Sequence, residues 1–75
     1  AGCFAIVIEC VPAALASSIT AACRVPTIGI GAGNGTDGQV LVWHDALGLQ
    51  STFLPKFVER FAESEKMLEA AVNRY

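Results

Sequence analysis

Seventy-five residues allow one small domain at most. Hydrophobic residues make up 53% and charged residues 16%, which leaves little polar surface for a small globule, so the chain reads as a piece of something larger or an obligate partner-binder. A net charge of −2 provides neither the basic patch of a nucleic-acid binder nor a polybasic membrane anchor. No apolar run reaches the roughly 18 residues of a spanning helix, and the N-terminal run, lacking a basic flank and interrupted by Glu9, does not read as a signal peptide.

Phe4-Ala5-Ile6-Val7-Ile8 predicts a strand buried on both faces, being short, apolar and rich in β-branched residues. Glu9 is the only charge between Phe4 and Val11, and it falls where that run ends. A carboxylate at the C-terminal end of a buried parallel strand is well placed for chemistry, because such strand ends form the active-site rim of α/β proteins. A surface glutamate that merely stops a strand produces the same pattern, and position alone leaves both readings open. Pro12 suits the first turn of a helix, where its missing N–H costs nothing. Ala13–Cys23 then predicts that helix, with Leu15, Ile19 and Ala22 as its buried stripe. Arg24 complements its C-terminal dipole, and Pro26 prevents it from continuing.

Thr27-Ile28-Gly29-Ile30 reads as a second strand running into Gly31-Ala32-Gly33-Asn34-Gly35, with Thr36-Asp37-Gly38 as a tight turn or one helical turn. Gln39–Trp43 is a third strand, closed by His44-Asp45 and carrying Trp43 into the core; a short buried helix would use the same residues. Pro55 starts a long final helix whose apolar face is Phe57, Phe61, Leu68, Val72 and Tyr75, with a break near Ser64-Glu65. Strands alternating with helices imply a parallel sheet with right-handed crossovers.

Gly33-Asn34-Gly35-Thr36-Asp37-Gly38 formally matches GxGxxG, but no full helix follows directly and the acidic residue at suitable distance, Glu59, lies in a helical pattern. The wider array from Gly29 to Gly35 reads as a ligand-facing loop whose N–H groups could line an anion pocket, against the alternative that its glycines only permit close packing. His44-Asp45 at a strand end would share the rim with Glu9, although adjacent strand residues face opposite ways and a structural histidine is the favoured reading. Cys3, Cys10 and Cys23 are odd in number and lack CxxC spacing; with a single histidine they argue against a zinc site and read as small buried thiols in a reducing compartment.

Together these stretches carry a resemblance. Ala1–Pro12 (AGCFAIVIECVP) resembles the sixth strand and following turn of the ketopantoate hydroxymethyltransferase family, Val25–Gly33 (VPTIGIGAG) its seventh strand, and Asp37–Asp45 (DGQVLVWHD) its eighth; the Pro55-Lys56-Phe57 helix matches in place. The resemblance implies an α/β fold, with residues 1–75 forming a single piece: about strands six to eight and the final helix of a (β/α)₈ TIM barrel. It implies transfer of a hydroxymethyl group from 5,10-methylenetetrahydrofolate to 3-methyl-2-oxobutanoate, giving 2-dehydropantoate in pantothenate biosynthesis. It also implies a magnesium ion that polarises the keto acid's carbonyl, with its ligands on earlier strands and none in this chain. Glu9 matches the family's catalytic base. Its apolar neighbours should bury it. A homo-oligomer is expected, as is a cytoplasmic (in a eukaryote, mitochondrial) location, with neither nucleic acid nor membrane as partner. Another 2-keto-acid barrel enzyme, such as a carbon–carbon lyase, and a non-catalytic assembly piece are the alternatives. Because a complete barrel needs about 250 residues, these 75 alone are expected to be inactive and poorly soluble.

Overall fold

The computed structural model describes residues 1–50 and 52–75. It divides the chain into two compact units, Ala1–Val40 and Leu41–Tyr75. The first unit is α/β. Strand β1 (Ile6–Glu9), helix α1 (Ala13–Ala22), strand β2 (Thr27–Ile30) and the two-residue strand β3 (Gly38–Gln39) follow in order. The three strands form one parallel sheet in the order β1-β2-β3.

Helix α1 crosses from β1 to β2, and its hydrogen-bond ladder opens at Pro12, whose carbonyl accepts from Ala16 N–H at 3.0 Å. Its buried residue is Ala16, at 0% exposure, whereas Leu15 is 52% exposed. Ala16 forms the core with Ile8 and Ala32, flanked by Ile6, Val11 and Ile19. The stripe expected at Leu15, Ile19 and Ala22 is therefore rotated: only Ile19 keeps its inward role. Ala16 is the position that α1 turns onto Ile8 and Ala32.

The connection from β2 to β3 has no helix. Parallel strands are usually joined by crossovers of a dozen or more residues, yet here Gly31–Asp37 returns the chain in seven. The return is short because β3 pairs only with Ile28 and Gly29. Gly31 and Gly33 adopt φ of 62° and 76° to make it.

The predicted third strand, Gln39–Trp43, is corrected. Pairing ends at Gln39, and Trp43–Ala46 forms a short helix, α2, in the second unit. Trp43 is not core but 60% exposed, tilted against His44 with ring centroids 4.5 Å apart.

The final helix is corrected too. Residues 55–63 make a single turn, closed by Val58 N–H on Pro55 O at 3.0 Å, and the helix, α3, begins only at Ser64 and runs to Arg74. The backbone donors that would have continued a helix from Pro55 are taken. Phe61 N–H donates to Ala46 O at 2.7 Å, Ser64 N–H to Leu47 O at 2.9 Å and Glu65 N–H to Gly48 O at 2.9 Å. Free N–H groups at the start of α3 thus meet free carbonyls at the end of α2, and each end satisfies the other. Among the described residues no helix is long and apolar enough to cross a membrane.

Candidate active site

The face on which each strand residue lies follows from the two-residue period and the register. Ile6 and Ile8 pack towards α1. Val7 and Glu9 therefore lie on the other face, and both are exposed; Val7 is 62% exposed. The strand is buried on one face within this chain, not on both as its composition suggested. Paired residues of parallel neighbours share a face, so Val7↔Ile28 and Glu9↔Ile30 place Ile28 and Ile30 beside them. Ile30 is itself buried yet stands outside the cluster beneath α1. Gly38, paired with Ile28, continues this open face into β3.

Glu9 ends β1 at the C-terminal edge of that open face. The next residue, Cys10, has φ 53° and donates its N–H to Ile30 O at 2.9 Å, so the ladder continues one step past the carboxylate. The burial expected for Glu9 is not supplied by these residues. Its carboxylate stands in the open, and the one ion pair among the described residues is Lys66–Glu63, at 3.1 Å on the surface of the second unit. Its oxygens are thus available to a ligand or to a proton in transit.

The glycine array divides between the two expectations in favour of packing. A Cβ on Gly33 would lie 2.5 Å from Ala13 Cβ, and one on Gly35 would collide with Ser17 Oγ. One on Gly29 would come 2.7 Å from Thr36 Oγ1. These glycines let the return loop lie against α1 and let Thr36 fold under β2. Gln39 Nε2 then ties the loop by donating to Gly33 O at 2.9 Å and to Thr36 Oγ1 at 2.8 Å.

His44 and Asp45 belong to α2 and not to a strand end, so the register that would have set them on the rim with Glu9 does not exist. Cys3 and Cys10 are exposed and Cys23 is half-buried, which corrects the expectation of three buried thiols; all three are free. Among the described residues no group of three His, Cys, Asp or Glu side chains comes together to hold a metal ion. The described residues do not by themselves fit a magnesium ion.

The sequence reading missed the partnership of Thr27 with Asp37. Thr27 is fully buried. Its N–H donates to Asp37 Oδ2 at 2.9 Å, and its hydroxyl lies 2.8 Å from that of Thr20 on α1. The contact lies at the start of β2, the opposite end from Glu9, and so holds the sheet rather than the chemistry. A Pro26-Thr27 pair opening a strand carries no signal that names a partner ten residues on.

A model of the family "Ketopantoate hydroxymethyltransferase" matches residues 1–75. The chain is 61% identical, over all 75 residues, to a 3-methyl-2-oxobutanoate hydroxymethyltransferase of Legionella pneumophila (strain Corby), of which it covers 29%. Proteins of the same name from Carboxydothermus hydrogenoformans and Nitratidesulfovibrio vulgaris (strain DP4) are 56% and 57% identical over the whole chain, which covers 27% and 24% of them. The chain thus spans less than a third of the length of these relatives.

Proposed function

The chain belongs to the ketopantoate hydroxymethyltransferase family, and from that premise we propose that the full-length protein carrying it transfers a hydroxymethyl group from 5,10-methylenetetrahydrofolate to 3-methyl-2-oxobutanoate. The product is 2-dehydropantoate, on the route to pantothenate and coenzyme A. In this reading the 75 residues form the last strands and final helix of a (β/α)₈ barrel. The open face of β1 and β2 lines the barrel interior, and α1 lies on the outside. Active sites of such barrels gather at the C-terminal ends of the strands, and Glu9 stands at one of them.

Glu9 takes the proton from the carbon next to the keto group, which leaves that carbon free to attack the one-carbon unit. A carboxylate with unengaged oxygens can take a proton and give it back. The observation that carries this reading is the position of Glu9: last residue of β1, on the face opposite α1. Magnesium, which would polarise the carbonyl, and the folate belong to the same proposal, with their ligands on parts of the protein outside these 75 residues. So do a homo-oligomeric state and a cytoplasmic or, in a eukaryote, mitochondrial location. Phe4, Phe53, Phe61 and Val72 are all more than 60% exposed here, which supports their burial against further chain.

The test is Glu9→Gln in the full-length protein. Solvent exchange of the α-proton of 3-methyl-2-oxobutanoate should be lost while the protein stays folded. Exchange at the wild-type rate would remove Glu9 from the role of base.

A further inference from the structure

We infer that Cys10 is a positioning residue for Glu9 and acts through its backbone, not its thiol. This rests on the reading of Glu9 as the proton-transfer group. Cys10 is the only non-glycine residue with positive φ among the described residues. Its side chain is exposed, so packing of the thiol does not account for the conformation.

What the conformation does is visible in the residues on either side. Ile8 is buried in the core beneath α1, and Val11, three positions on, packs against the same core. Residues an odd number apart on an unbroken strand face opposite ways. The alternation therefore breaks between them, where the left-handed residue sits. Were the strand to run on, Val11 would stand beside Val7 and Glu9 on the open face. The turn at Cys10 instead sends Val11 under the sheet and leads the chain through Pro12 into α1. It makes Glu9 the last side chain on the open face. The bond from Cys10 N–H to Ile30 O holds the peptide that follows Glu9 against β2. The backbone behind the carboxylate is thus fixed by a ladder bond and a left-handed turn. Non-glycine residues in that region are uncommon, β-branched ones are outliers, and such conformations persist where the surrounding structure imposes them.

The test compares Cys10→Gly, Cys10→Asn, Cys10→Ala and Cys10→Val in the full-length enzyme, by α-proton exchange, kcat and KM. Glycine and asparagine accept left-handed φ, alanine resists it and valine resists it most. Gly and Asn should stay within about threefold of wild type, Ala should fall below them, and Val should lose about 10- to 100-fold in exchange and kcat, the scale of a small misplacement of a reacting group. KM should hold within about twofold. If the Val variant does not fold, the order of Asn above Ala decides. Equal rates in all variants overturn the inference, and so does an equal loss in all, which would point to the thiol. Glu9→Gln measured alongside separates the two failures. Exchange lost in Glu9→Gln with equal Cys10 variants refutes the positioning role alone, whereas exchange retained there refutes the reading of Glu9 as well.

Discussion

Asp37 grips Thr27 at three points: its Oδ2 accepts from Thr27 N–H at 2.9 Å and lies 3.2 Å from the threonine hydroxyl, while its own N–H donates to that hydroxyl at 3.3 Å. The network reaches α1, because Thr20 Oγ1 is 2.8 Å from Thr27 Oγ1 and donates to Ala16 O at 2.8 Å. With Thr20 spending its one hydroxyl proton on Ala16, the Thr27 hydroxyl donates either to Thr20 or to Asp37. The bond that cannot be exchanged is the one to Thr27 N–H.

That distinction can be measured. Asp37→Ala leaves a buried N–H without an acceptor and should cost about 1–3 kcal/mol. Asp37→Asn keeps an acceptor oxygen and should cost less than about half as much. Thermal or denaturant unfolding of the full-length protein reads both, and equal stabilities of the two variants would count against this account of Thr27.

Gly48 closes α2 at φ 66°, and a Cβ there would collide with Ala62 O and lie 3.1 Å from Glu63 Cα. Its carbonyl also accepts from Glu65 N–H. Gly48→Ala should therefore cost at least about 1–2 kcal/mol from the left-handed backbone alone, and more from the clash with backbone that cannot step aside. Loss of protection at Ser64 and Glu65 N–H in hydrogen exchange should accompany it. Unchanged protection there would show that α3 starts independently of α2.

Gly33 combines a left-handed φ with contact on Ala13. Gly33→Ala should destabilise, and adding Ala13→Gly should restore part of the loss by removing the nearer atom. Full restoration would mean that the backbone conformation carries no cost, and no restoration that the contact carries none.

How legible was this in the sequence? Thr27–Ile30 was predicted with its observed bounds, and β1 and α1 to within two residues, because β-branched runs and proline boundaries are local signals. The orientation of α1 was not legible. Its inward side is set by what it packs on, Ile8 and Ala32, and a hydropathy pattern favours Leu15 over Ala16. The late start of α3 was legible only as a discontinuity near Ser64. What ends the helical pattern before it is the pairing of Phe61, Ser64 and Glu65 with the carbonyls of Ala46, Leu47 and Gly48, which periodicity does not register. For the site, Glu9 was found from one charge in an apolar run. Its face needed the register, and the turn at Cys10 has no signature, since cysteine is not a residue that announces a left-handed conformation.

The helix-less return between β2 and β3 has a consequence for chain entropy. Closing a loop of seven residues instead of twice as many saves only about 0.6 kcal/mol. Each glycine ordered there gives up about 0.5–1 kcal/mol more than alanine would, and Gly31, Gly33 and Gly35 make three. Brevity therefore does not repay the glycines that permit it, and the segment is entropically a net loss. The balance must come from what the close approach creates: a buried Ala32 beneath α1, and the two bonds from the Gln39 amide that tie the loop shut.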